Sequence, residues 1–303
     1  MKARKLDIFT RLSAPFSYFR APTSFNNINH DSIPNDYINL DGFRITEEAK
    51  QSLKVTFLGD MMGVGIRDIK LCDNLIKRIH ASDYTIINLS SVLTNDYSMV
   101  LDKQHTHPQI FLKFCDQLPM EKVVFSLANS HIMDYGKNGL QNTLIQLRRV
   151  GAKIIGLKDQ STIELAKGLK LKASTSWYTD KNITSNLDEL SAETSTLHYI
   201  HWGEEYKTEP SNEQIEHIKK LSENDLLVCG HHSHCPQPIK IIDDKLAAFS
   251  LGNFTSFHDS SRINSGLVMT TDLVLYDKWH IEKVNWTQLD IKATQNVQVS
   301  EIH

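Results

Sequence analysis

The sequence predicts an α/β protein. From residue 54 to about 250, short β-branched and aliphatic runs alternate with stretches of helical period, and after Pro238 closely spaced strand patterns follow one another. A third observation concerns polarity: nearly every predicted strand gives way at once to a small or metal-competent polar residue. Ligands in open α/β sheets sit beyond the carboxyl ends of strands, so such residues are placed to share one crevice.

The first twenty residues carry five Lys or Arg and one acid, and Asp7 and Arg11 interrupt what would be the apolar core of a signal peptide, which disfavours secretion. Ile8, Phe9, Leu12, Phe16 and Phe19 fall at helical spacing beside basic residues, the pattern of a membrane-surface arm. Pro15 breaks it, and a plain extension is the stronger reading. Residues 21–50 are polar, rich in Asn, Asp, Ser and Pro, and show no sustained period, so 1–50 reads as an arm or linker, 51–290 as the folded domain and 291–303 as a tail. Within the domain, strands are expected at 55–58, 84–89, 123–127, 153–155, 197–200 and 226–228, then at 239–242, 246–250, 267–275 and 279–284. Helices are expected at 68–80, 108–118, 139–150 and 212–221, the last with Ser211 as N-cap.

Composition removes several function classes. With 33 Lys and Arg against 36 Asp and Glu the net charge is -3, without the basic excess that phosphate neutralisation requires, so no nucleic-acid partner is expected. Cys72, Cys115, Cys229 and Cys235 form no CxxC pair, which points to reduced thiols in the cytoplasm and no zinc-thiolate site. No apolar run approaches the ~18–20 residues of a bilayer span, and membrane contact is at most peripheral, at the inner membrane.

The strand ends carry the chemistry. VTFLGD ends on Asp60, TIINLSS contains Asn88, and VVFSLANSH delivers Asn129, Ser130 and His131. LHYIHWGEE delivers His201 and Glu204, and LLVCGHHSH delivers His231, His232 and His234. A single Asp or Asn at a strand end reads as an ordinary turn or cap residue. Three histidines in four positions do not, because closely spaced imidazoles on a tight turn can face one centre or two adjacent ones, and neutral imidazole is a good ligand for Zn, Fe, Mn and Ni. Gly230 permits the sharp turn ahead of them. Gly63-Val64-Gly65 reads as a tight turn, His105 and His107 as parts of a solvated loop, and Trp202 as packing. No GxSxG, Walker or HExxH motif occurs.

Taken in order, FLGDMMGVG, IINLSS, SLANSHIMDYG, YIHWGEEY, CGHHSHCPQP and FSLGNF resemble the CapA family of capsule and poly-gamma-glutamate synthesis proteins, itself similar in fold to calcineurin-like metallophosphoesterases. The resemblance spans residues 54–275. It implies a four-layer α-β-β-α sandwich of the metallophosphoesterase type, a dinuclear metal site at the strand ends, and a role in making or exporting an anionic surface polymer. Carried over residue by residue, it makes Asp60, His201, His232 and His234 metal ligands. It makes His131 the acid or electrostatic partner of the leaving oxygen, with Asn129 and Asn253 orienting the substrate, and Asn88, Glu204 and His231 are expected against the substrate as well. The chain departs from the family pattern where Asn-Leu-Glu becomes Asn88-Leu89-Ser90, where the second Asn of Ala-Asn-Asn-His becomes Ser130, and at Met62, where broader phosphoesterases carry His. Serine hydroxyls are weak ligands, and without a bridging acid the repulsion between two dications is poorly compensated. The expectation is therefore one divalent ion (Mn, Zn or Fe), held by Asp60 and three imidazoles, with two ions as the alternative. The implied activity is metal-assisted hydrolysis or transfer on a phosphoester, peptide or anionic polymer, beside a polymer synthase. The competing reading is a non-catalytic scaffold with a degenerate metal site, which Ser90 and Ser130 favour.

Overall fold

The computed structural model describes residues 4–5, 36–38, 48–96, 103–178, 180–187, 193–256, 264–293 and 296–302. The chain is a mixed α/β protein built on a large mixed sheet and a second sheet. The large sheet takes β1 (Gln51–Met61), β2 (Ile69–Leu71), β3 (Tyr84–Asn88), β4 (Val123–Ser126) and β5 (Lys153–Ile155) from the first half of the chain. The second sheet is formed by β6 (Thr162–Ala166), β7 (Leu169–Thr175), β8 (Ser195–His201), β9 (Asp225–His231), β10 (Ile239–Ile242) and β11 (Lys245–Ala248), in the order β6-β7-β8-β9-β11-β10. The chain then returns to the large sheet through β12 (Asn253–Thr255), β13 (Ser265–Leu275), β14 (Trp279–Ala293) and β15 (Val297–Ile302). The large sheet runs β2-β15-β14-β13-β1-β3-β4-β5, with β12 added beside β1.

The strands β1, β3, β4 and β5 are parallel and joined by crossovers that contain α1 (Asp73–His80), α2 (Pro108–Cys115) and α3 (Gly136–Arg149). In the second sheet α4 (Asn212–Ile218) links the parallel pair β8 and β9. Ser211 is its N-cap, and its hydroxyl and the Gln214 side chain satisfy each other's backbone N–H groups as a capping box.

Alternation along β1 sends Val55 and Phe57 to one face and Leu58 and Met61 into a different cluster, so the strand is buried on both sides. One apolar cluster joins Leu58, Met61, Ile87 and Phe125 to helix residues Leu75, Ile79, Phe111 and Leu147. A second joins Val55, Phe57, Ile86 and Met269 of the large sheet to Leu171, Leu197, Tyr199 and Leu227 of the other. A third packs Ile218 of α4 with Ile200, Trp202, Val228 and Phe249.

Three departures from the sequence reading have local causes. The helix expected at 68–80 begins only at Asp73, because Ile69 and Leu71 are buried on either side of exposed Lys70 and pair with β15 as a strand. Strands β6 and β7 were not anticipated, although Leu169, Leu171 and Ala173 alternate with Lys170 and Lys172 at period two. Residues 291–303, expected as a tail, contain β15, which pairs with β14 and β2 and buries Val297 and Val299 in the core. The arm expected at 1–50, including the membrane-surface pattern of its first twenty residues, falls almost wholly outside the described residues. Of it, Arg4–Lys5 pairs with Trp177–Tyr178 and Asp36–Ile38 with β14. Among the described residues no helix is long and apolar enough to cross a membrane.

Candidate metal centre

Strand register assembles the centre. Asp60 at the end of β1 pairs with Asn88 on β3 and with Asn253 on β12, so three polar side chains stand abreast at one edge of the large sheet. Across from them, His201 and His231 are register partners at the ends of β8 and β9. Two glycines allow this close approach. A Cβ at Gly59 would lie 2.0 Å from the Gly252 carbonyl oxygen, and one at Gly230 would lie 2.0 Å from that of Phe249.

After β9 the chain turns sharply, with His232 at φ 100° and His234 at φ 59°. Left-handed backbone at a non-glycine residue costs about 1–3 kcal/mol and concentrates at functional sites, and here it turns successive imidazoles toward Asp60. The Asp60 carboxylate is fully buried. Its Oδ1 accepts from Asn88 Nδ2 at 2.6 Å and lies 3.0 Å from His231 Nδ1, while its Oδ2 accepts the His232 backbone N–H at 2.9 Å and lies 3.5 Å from His234 Nδ1. Burial alone would raise the Asp60 pKa, but His231, His234 and the Asn88 amide outweigh it and hold the carboxyl well below the usual carboxylate range.

The histidines respond in the opposite sense. Burial, reinforced by neighbouring imidazoles, pushes His201 and His232 well below their ordinary value, so both rings are neutral and able to ligate at pH 7. His201 Nδ1 stands 3.1 Å from His231 Nδ1 and 3.9 Å from Asp60 Oδ1. Ligands at 2.0–2.1 Å from a tetrahedral ion lie about 3.3 Å apart, and the 3.0, 3.1 and 3.9 Å separations bracket that spacing. Asp60, His201 and His231 thus form one group that could hold a metal ion, and Glu205, His232 and His234 form a second. His234 Nδ1 faces two oxygens, Asn253 Oδ1 at 3.0 Å and Asp60 Oδ2 at 3.5 Å. His231 Nε2 and His232 Nδ1 are buried with no hydrogen-bond partner, as is the Ser90 hydroxyl. Buried nitrogens without partners beside an ionised carboxylate fit a divalent cation.

The residues expected at the site divide as follows. Asp60, His201, His232 and His234 all meet in this crevice, but in two groups. His231, expected against substrate, shares the first group with Asp60. Glu204 is exposed, and the acid beside His232 and His234 is its neighbour Glu205, which sequence reasoning missed. The HWGEEY motif offers both acids, and only the turn, with Gly203 at φ 82° and Tyr206 at φ 61°, selects between them. Asn88 and Asn129 form a relay behind Asp60. Asn129 Nδ2 donates to Asn88 Oδ1 at 3.1 Å, and its Oδ1 accepts the backbone N–H groups of His131 and Ile132. His131 Nδ1 lies 2.8 Å from Asp134 Oδ2, which also accepts the Gln104 N–H. Trp177 and Tyr206 flank the crevice, their rings 5.7 Å from those of His232 and His234.

A family model described as "Bacterial capsule synthesis protein PGA_cap" matches residues 54–164 and 158–258. The chain is 26% identical over 267 residues to the "PGA biosynthesis protein CapA" of Bacillus subtilis (strain 168), an alignment covering 76% of this chain and 68% of that protein. It is 22% identical over 295 residues to the "Capsule biosynthesis protein CapA" of Bacillus anthracis, covering 82% and 68% respectively.

Proposed function

Because the chain belongs to the bacterial capsule synthesis protein family, we propose that it acts in the biosynthesis of an anionic capsule polymer of the poly-gamma-glutamate kind, through metal-assisted hydrolysis or transfer at the Asp60 crevice. The observation that carries the mechanistic part is the buried carboxylate set between two groups of imidazoles. The succession of apolar clusters, from helices to large sheet to second sheet to α4, supports a four-layer sandwich of the metallophosphoesterase type. A phosphoester, peptide or polymer bond is the substrate class, and a polymer synthase is the partner this reading calls for, at the cytoplasmic face of the membrane.

A divalent ion bound here would acidify an attacking water and stabilise charge on the leaving oxygen. The protein's own groups do the rest. Asn88 and Asn129 hold the Asp60 carboxylate in one orientation. Asp134 fixes His131 through Nδ1, which makes the other ring nitrogen the one that passes a proton to a leaving oxygen. Trp177, whose indole N–H donates to the Gly203 carbonyl at 2.7 Å, walls the crevice beside His232.

The buried, unpartnered Ser90 hydroxyl, neutral where the family motif has an acid, favours the second reading, a scaffold that keeps the fold without turnover. Hydrolysis of an aryl phosphate with added Mn²⁺ or Zn²⁺ separates the two. The metal-assisted reading expects turnover that falls about 100-fold or more in His232→Ala. Absence of turnover, or turnover that His232→Ala leaves unchanged, would favour the scaffold.

A further inference from the structure

The Gly63-Val64-Gly65 turn, which continues the strand of Asp60, and the loop holding His105 are built against each other. Gly63 donates its N–H to Gln104 Oε1 at 3.2 Å, Gly65 donates to the His105 carbonyl at 3.0 Å, and His107 donates back to the Gly65 carbonyl at 2.8 Å. A Cβ at Gly63 would lie 2.5 Å from the His105 backbone nitrogen, so glycine is what lets the two segments touch. The same loop is tied to the turn that carries His131. The Gln104 N–H donates at 2.9 Å to Asp134 Oδ2, the oxygen that also meets His131 Nδ1 at 2.8 Å. Lys103 and Tyr135 are the chain neighbours of that bond, one on each side of it. The Lys103 ammonium stands 4.9 Å from the centre of the Tyr135 ring, and the Tyr135 hydroxyl lies 3.2 Å from His105 Nδ1. Lys103 is half-buried, and among the described residues no carboxylate pairs with it, Asp96, whose charge acts on His105, included.

An aromatic face within about 6 Å restrains an ammonium without neutralising it, so the side chain is ordered in advance while its charge stays available to an anion. A single ammonium is a point charge rather than a fork, and it matches the single charge of a carboxylate. We propose that Lys103, steadied by Tyr135, is a specificity-determining residue that pairs with a carboxylate of the substrate beside the bond at which His131 acts. The inference deepens the reading of an anionic polymer substrate and rests on it for the identity of the ligand. On a chain that repeats its carboxylates, a fixed cation next to His131 sets the register in which the chain lies and therefore which bond is presented.

Calorimetric titration of the full chain with a γ-linked glutamate oligomer, and with the same oligomer amidated on its carboxylates, reads the pairing without turnover. The expected result is tighter binding of the acidic oligomer, weakened about fivefold in Lys103→Met and recovered in Lys103→Arg, with the difference between wild type and Lys103→Met screened away at about 0.5 M salt. Methionine keeps an unbranched stem against Tyr135, so the variant removes the charge and little of the packing. In a second arm, kcat/KM is compared for aryl phosphates whose leaving phenol bears a carboxylate or a carboxamide, and the preference for the carboxylate should fall in the same variant. A wild type that does not distinguish the acidic from the amidated oligomer, or a Lys103→Met protein that binds the acidic one as tightly as the wild type, would overturn the proposal. If neither aryl phosphate turned over while Lys103→Met still lost affinity for the oligomer, the hydrolytic reading would fail and the carboxylate site would stand.

Discussion

Asp60 stays ionised in a fully buried place because an amide and two imidazoles oppose the cost of burial, and each of those partners comes from a different strand end or turn. Its importance was legible in the sequence, since an acid closing an apolar strand, followed far along the chain by three histidines in four positions, is hard to explain as surface chemistry. The division of labour among the histidines was not legible. Whether His231 or His232 shares the Asp60 group depends on the left-handed turn at His232, which no residue-type rule announces. The same holds for Glu204 and Glu205. Adjacent acids are equivalent in sequence, and the turn at Gly203 exposes one and brings the other to His232 and His234. Glu205→Gln should therefore weaken Mn²⁺ or Zn²⁺ binding by about tenfold or more, while Glu204→Gln stays near wild type. Equal effects in a metal titration would contradict the assignment.

Among the elements, α4 has a titratable weakness. His217 packs edge-on against Trp202 beneath that helix, and burial lowers its pKa from 6.5 to about 3. Between those values the unfolded chain takes up a proton that the folded chain refuses, so stability is full above pH 6.5 and declines as the pH falls toward 3. His217→Gln should flatten this decline: between pH 6.5 and 4.5, the loss of unfolding free energy should shrink by on the order of 2 kcal/mol in denaturant titrations. An unchanged pH dependence would show that the buried ring is not the cause. The Ser211 cap and the period of α4 were readable because they are local. The strand at Ile69–Leu71 was absorbed into a helical pattern because three residues carry too little periodicity, and Val297–Ile302 passed for a tail because its partners are distant. Arg78 on α1 fastens that last strand, donating to Glu301 Oε1 at 2.6 Å and to Asn285 and Thr287 on β14.

At the scale of the molecule, the crevice belongs to neither sheet alone. Asp60, Asn88 and Asn253 come from the large sheet and His201 and His231 from the second, and an ion between them would tie the two together. The α/β class was open to sequence reasoning because alternating aliphatic strands and amphipathic helices betray it. Sheet order was not, because the chain leaves the large sheet after β5 and re-enters it at β12, a path set by pairing between residues some two hundred positions apart. The central claim is that this convergence makes a cation site. Its most direct test is elemental analysis of the purified, untagged protein beside Asp60→Asn. One or two equivalents of Mn, Zn or Fe in the wild type, lost when the carboxylate becomes an amide, is the result expected here; a wild type that holds no ion, or an Asp60→Asn protein that holds just as much, would contradict it.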